Sequence, residues 1–138
     1  MENVESFLSE IDHIGIAVRD MEAAVEFYAK AFGAAVVHRE FVEADGVEEA
    51  LMLIAQSYLQ LLTPTRDDSP VARFLANRGE GLHHIAFRVD CCAEALANVT
   101  SNGYQAIDSV PRPGSRGTTV AFIHPKDAFG TLIELVEE

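Results

Sequence analysis

Residues 11–20 read IDHIGIAVRD, and residues 82–91 read LHHIAFRVDC. The two stretches share an apolar frame with a histidine near its start, His13 in the first and His84 in the second, 71 residues apart. A second pair follows at similar spacing. YLQLL at 58–62 holds Gln60, and LIELV at 132–136 holds Glu134, 74 residues further on. Self-similarity at a fixed spacing marks one structural unit used twice. The matched positions are two histidines, a glutamine and a glutamate, all of them types that ligate metals. One His and one oxygen donor per copy suggest a single metal site shared between the copies.

Working outward, residues 11–18 form an Ile- and Val-rich run that predicts a strand. Asp20 then caps a helix in which Met21, Ala24, Val25, Tyr28 and Phe32 fall at helical spacing, and Gly33 supplies the stop. Strands are predicted over 35–42, 48–55 and 58–63, which completes a βαβββ unit. The stretch TPTRDDSPVARFLANRGEG connects the copies through a short helix. Ser69 caps it, Pro70 sits in its first turn, Val71, Phe74 and Leu75 form its apolar stripe, and Gly79 ends it. The pattern then restarts with a strand at 83–89 and a helix from about 90 that turns Leu96 and Val99 inward and stops at Asn102-Gly103. Strands near 104–108, 118–123 and 131–136 follow. The class is α+β: one domain over 1–138, made of two βαβββ repeats (about 11–64 and 82–137) joined by a short helical connector. The repeats are expected to form a curved mixed sheet with helices outside and a metal-containing cavity inside. GSRG at 114–117 is the expected mobile loop.

Bulk properties narrow the function. A chain of 138 residues is one compact body, and 49% hydrophobic with 23% charged residues is ordinary for a globular protein. No apolar run reaches the length of a membrane span. The start MENVESFLSE is acidic and lacks the basic-then-apolar pattern of a signal peptide, so a cytoplasmic location is expected. A net charge of −12 argues against nucleic acid as a partner. The charge is uneven, because Ser109 to Lys126 contains no acidic residue but holds Arg112, Arg116 and Lys126. That patch is read either as a site for an anionic small molecule or as a solvated loop. The adjacent Cys91 and Cys92 cannot form an ordinary bridge and are read as small apolar residues at a helix start.

Strand alternation selects the residues that share the cavity. His13 shares a face with Gly15 and Ala17, and His84 with Ala86 and Arg88. Gln60 and Glu134 each stand opposite two flanking apolar side chains. A polar group that interrupts an apolar strand needs a partner or a metal, since burying it alone costs several kcal/mol. Two imidazoles, a carboxylate and an amide oxygen suit Co(II), Mn(II), Ni(II), Fe(II) or Zn(II) in a site without thiolate. Four ligands on an ion preferring six leave two open positions for a chelating substrate. Glu49, in GVEEALMLI at 46–54, shares a face with Leu51 and Leu53. If that face is inward, Glu49 enters the cavity as a general base; otherwise it is a surface glutamate. His83 alternates away from His84 and should not reach the same ion. His38 and His124 are weaker candidates still.

These residues carry a family resemblance. The paired units with their four donors resemble the vicinal oxygen chelate superfamily. Within it, DHIGIAV, GVEEA, YLQLL, TRDDSPVARFL, GEGLHHIAF, PRPGSRG and IHPKDAFGTLIEL are similar to the methylmalonyl-CoA epimerases, over about residues 11–137. The resemblance implies a divalent metal held by His13, Gln60, His84 and Glu134, cobalt above all, with manganese, nickel, zinc or magnesium as alternatives. It implies Glu49 as a catalytic base acting at C2 of an acyl-CoA, with Glu134 or a water as the second acid. Arg112, Arg116 and Lys126 would then meet the coenzyme's phosphates. Ethylmalonyl-CoA is a near neighbour as substrate, and a homodimer is expected. A lactoylglutathione lyase-type isomerase, an Fe(II) ring-cleaving dioxygenase and a non-enzymatic small-molecule-binding module are the competing readings on the same fold.

Overall fold

The computed structural model describes residues 6–138. Residues 1–5, on which part of the signal-peptide reading falls, lie outside the described residues. Eleven elements of regular structure follow in the order β1 (Leu8–Ala17), α1 (Met21–Phe32), β2 (Val36–Val42), β3 (Val47–Ile54), β4 (Ser57–Pro64), α2 (Pro70–Arg78), β5 (Gly81–Val89), α3 (Cys92–Ser101), β6 (Arg112–Pro113), β7 (Thr119–Ile123) and β8 (Ile133–Glu137). No helix among the described residues is long and apolar enough to cross a membrane.

The chain divides into two compact units, one of residues 13–84 and the other of residues up to Asp12 together with 85–138. The divisions fall inside β1 and near the middle of β5.

In the unit of residues 13–84 the strand order is β2-β3-β4-β1, antiparallel except for the parallel pair β1/β4. The two faces of this sheet are sorted by residue parity. Ile16 and Val18 of β1 and its exit, Ala50 and Met52 of β3 and Leu61 of β4 pack beneath α1, which contributes Met21, Ala24, Val25 and Tyr28. Burying a side chain such as Met52 or Leu61 contributes about 1.5–3 kcal/mol. The opposite face carries Ala17, Val47 and Leu62 under Val71 and Leu75 of α2. The caps follow the sequence: Asp20 accepts from the Ala23 amide, Ser69 from the Ala72 amide, and Gly33 closes α1 at φ 69°.

In the other unit β5, β8, β7 and β6 follow in that order, with β5/β8 parallel and the rest antiparallel. One face packs Val89, Ala121, Ile123 and Leu135 against Cys92, Ala95 and Leu96 of α3. The other face buries Ala86, Val120 and Val136. Cys91 stands at the N-cap of α3 without a capping side chain; the Cys92 amide donates instead to Glu137 Oε1 at 2.7 Å. Burial pushes the Cys92 thiol up from 9.0 to about 11, and the charge of Glu137 adds to it, so the thiol stays protonated and inert at neutral pH. Both cysteines are free.

Two sequence expectations are corrected here. The strand expected at 104–108 is reduced to a single bridge, Ala106 to Ile123. The Asp108 carboxylate accepts the Phe122 amide at 2.8 Å in place of a main-chain carbonyl, and Pro111 and Pro113 remove donors from the next stretch, leaving β6 only two residues long. The GSRG segment is a 3₁₀ turn, Ser115–Gly117, tied down through Arg116. Asp12, fully buried, accepts from Arg88 Nε at 3.0 Å and Nη2 at 2.6 Å, and from Arg116 Nη2 at 2.8 Å. Burial works against the charge of Arg88, but Asp12, Glu138 and Glu10 outweigh it and hold the guanidinium above its ordinary value. Asp12→Ala is expected to cost about 1–3 kcal/mol, because it removes the buried carboxylate that joins two guanidinium groups and leaves them with Glu10 and Glu138. The check is the urea midpoint at unchanged slope; a loss below 1 kcal/mol would show the arginines finding other partners.

Candidate functional site

The sheet face of residues 13–84 that lies opposite α1 carries the chemistry. On β1 it presents His13, Gly15 and Ala17; on β3, Val47, Glu49 and Leu51; on β4, Gln60 and Leu62. His13, Glu49, Gln60 and His84 are all buried, and Glu49 is 1% exposed. The second reading of Glu49, a surface glutamate, is thereby excluded.

The register repeats the sequence repeat. Gly15, two residues after His13, pairs with Gln60 across β1/β4. Ala86, two residues after His84, pairs with Glu134 across β5/β8. In each copy a histidine is thus followed, two positions along the same face, by a small residue opposite an oxygen donor. Gly15 is small for a reason: a Cβ there would come within 2.4 Å of His84 Cε1 and 2.6 Å of its Nδ1.

His13 Nε2 and His84 Nε2 face each other at 2.9 Å. Two neutral rings can share one proton at that distance. Two nitrogens bound at right angles to one ion, each at about 2.1 Å, would stand about 3.0 Å apart, so the pair also fits a metal. Gln60 Nε2 donates to Glu49 Oε2. A carboxylate only accepts, so this contact fixes the amide orientation and leaves Gln60 Oε1 as the free acceptor. Gln60 Oε1 and Glu49 Oε1 are both buried without a hydrogen-bond partner among the described residues. An orphaned amide oxygen on the sheet face that also carries His13 is what a cation would satisfy. Within this unit the buried His13, His84 and Gln60 offer donors of the kind that hold a metal ion; Glu134 is buried in the other unit. The metal implied by the sequence therefore fits the residues present.

By alternation His83 should not reach the same ion as His84. Its Nδ1 lies 2.8 Å from His84 Nδ1, and its ring sits edge-on to Phe74 at 4.9 Å. It therefore contacts the ring nitrogen of His84 that faces away from His13, the position from which a neighbour fixes tautomer and ring orientation. Alternation counts faces, not ring reach, and gave no signal for this. His124 caps a turn, its Nδ1 accepting from the Lys126 amide.

The expected basic patch does not stand free. Arg116 is engaged by Asp12 and by Glu138 at 3.3 Å, and Arg112 by Asp108 at 3.1 Å while it lies over the Phe122 ring. Lys126 alone of the three shows no ion pair among the described residues. The acidic partners come from outside the acid-free stretch or from its edge, which is why the linear charge pattern missed them.

The sequence profile of the Glyoxalase/Bleomycin resistance protein/Dioxygenase superfamily matches residues 12–122. The ethylmalonyl-CoA/methylmalonyl-CoA epimerase of Cereibacter sphaeroides is 34% identical over 93% of this chain and 97% of its own. The mitochondrial methylmalonyl-CoA epimerase of Homo sapiens is 34% identical over 93% of this chain and 73% of its own. A variant of the Streptomyces coelicolor methylmalonyl-CoA epimerase, solved in complex with 2-nitronate-propionyl-CoA, superposes with a TM-score of 0.92 at 45% identity, covering 95% of this chain and 98% of that one. The chain belongs to the methylmalonyl-CoA epimerase family. It is an isomerase of the epimerase class with the vicinal oxygen chelate fold, as the family resemblance implied.

Proposed function

We propose that the protein interconverts the (2R) and (2S) epimers of methylmalonyl-CoA by removing and returning the proton at C2, with Glu49 as the base. What supports this most is the pair Glu49–Gln60: a fully buried carboxylate, held by one oxygen, whose other oxygen has no partner. A base must offer a lone pair that nothing else occupies, in a place from which water is excluded. The Gln60 amide anchors Glu49 Oε2 and so aims Oε1. The C2 hydrogen lies between a thioester and a carboxylate, and its loss leaves charge on the thioester oxygen. Held by His13, Gln60, His84 and Glu134, a divalent cation, cobalt first among them, would stabilise that charge. Return of a proton to the opposite face gives the other epimer. Glu134, buried in β8, is the proposed second acid, with a water as the alternative.

Lys126 is the residue proposed to meet the coenzyme's phosphates. Arg112 and Arg116 would join it only by exchanging their present carboxylates. The free cysteines agree with a reducing, cytoplasmic setting. Val37 and Phe41, exposed on edge strand β2, support the expected homodimer.

The test is incubation with methylmalonyl-CoA in D2O, with Co(II) and then with EDTA, following deuterium at C2. Metal-dependent exchange with interconversion of epimers is the expected result. Its absence from cobalt-loaded protein would overturn the substrate and favour a glyoxalase-type isomerase on the same site.

A further inference from the structure

Beside Glu49 stands a group of side chains that the epimerisation does not use. Strands β2 and β3 are antiparallel, and Glu40 is the register partner of Glu49. Alternation puts His38 on the same face as Glu40, and His38 Nε2 lies 2.8 Å from Glu40 Oε1. Donor atoms of His38, Glu40 and Glu49 lie within 4.8 Å of one another. Arg39, between them in sequence, turns to the other face and pairs with Glu22 and Glu48. Two carboxylates directly opposed across a strand pair repel, and one of these two is fully buried with an orphaned oxygen. Such a pair calls for positive charge.

We propose that His38, Glu40 and Glu49 form a second divalent-cation site whose occupation takes Glu49 out of use as the base. The inhibitory half rests on the role given to Glu49 above. One imidazole nitrogen and two carboxylate oxygens are donors zinc accepts, with water completing the coordination. The set shares no residue with His13, Gln60, His84 and Glu134. Its mouth is open, because the side chains of His38 and Glu40 are 37% and 34% exposed, so an ion enters from solvent without disturbing the core. An ion held there occupies the Glu49 lone pairs that would otherwise take the C2 proton.

The test uses intact protein carrying one equivalent of cobalt, dialysed against Zn2+, with cobalt and zinc counted in the same samples. One further zinc per chain is expected with cobalt retained, and turnover falling in step by about 100-fold, the scale of a lost general base. His38→Gln and Glu40→Gln should each lose the zinc uptake, and Zn2+ should no longer change each variant's rate relative to its own zinc-free rate. No uptake beyond the cobalt, or uptake that persists in both variants, overturns the site. Uptake with unchanged turnover overturns its coupling to Glu49. The metal count needs no substrate, so a protein inactive on methylmalonyl-CoA would fail the proposed function while zinc uptake still decided this site.

Discussion

Glu49→Gln is expected to lower kcat by about 10²–10⁴-fold, the usual contribution of a positioned general base. The substitution is nearly isosteric. Its amide oxygen can still accept from Gln60 Nε2, so the side chain keeps its anchor and the strand keeps its register with Leu62 and Glu40. What it loses is a lone pair basic enough to take a proton from carbon. After equal loading with cobalt, the metal content of the variant should therefore match that of the wild type, and KM should move far less than kcat. Rapid-quench or coupled turnover together with metal analysis separates the two. A variant with unchanged kcat would remove Glu49 from the chemistry, and one that lost its cobalt would recast Glu49 as part of the metal's support.

Gly15→Ala should weaken cobalt binding by about 10–100-fold although it deletes no donor atom, the scale seen when the support of a metal ligand is disturbed. The added methyl would sit 2.4 Å from His84 Cε1 and 2.6 Å from Nδ1, closer than real contacts allow. The ring has to swing, and its Nε2 leaves the position it holds 2.9 Å from His13 Nε2. The clash is with the middle of a ring wedged between His13 and His83, not with the tip of a flexible chain. Competition with a chromogenic chelator measures the loss, and His84→Ala gives its ceiling. Wild-type affinity in Gly15→Ala would mean that the His84 ring has room to step aside.

Much of the candidate site was legible because its pattern is written twice. His13 and His84 interrupt matching apolar frames, and Gln60 and Glu134 interrupt matching later strands; a buried polar group at one position has several explanations, at four matched positions far fewer. Helix ends were legible for a local reason. Asp20, Gly33, Ser69 and Gly79 act within a few residues of themselves, through caps and left-handed turns that need no tertiary partner. The 104–108 stretch was misread because a side-chain acceptor, Asp108, replaces the main chain in a ladder that propensity cannot see.

The sequence by itself determined the doubled βαβββ plan, the helix caps, the two histidines and the pair of oxygen donors, since each follows from period, cap chemistry or repetition along the chain. Only the tertiary structure decided what stands beside what. It buried Glu49 and placed it against Gln60, brought His83 onto the far nitrogen of His84, and set Glu40 across from Glu49. It also set Arg116 against Asp12 and Glu138 and Arg112 against Asp108, so that two of the three cations of a basic patch in the linear chain are ion-paired in the fold. The physical reason is common to all four. Charge and hydrogen bonding act over a few ångströms in space, and folding brings within that range residues as far apart in sequence as Asp12 and Arg116.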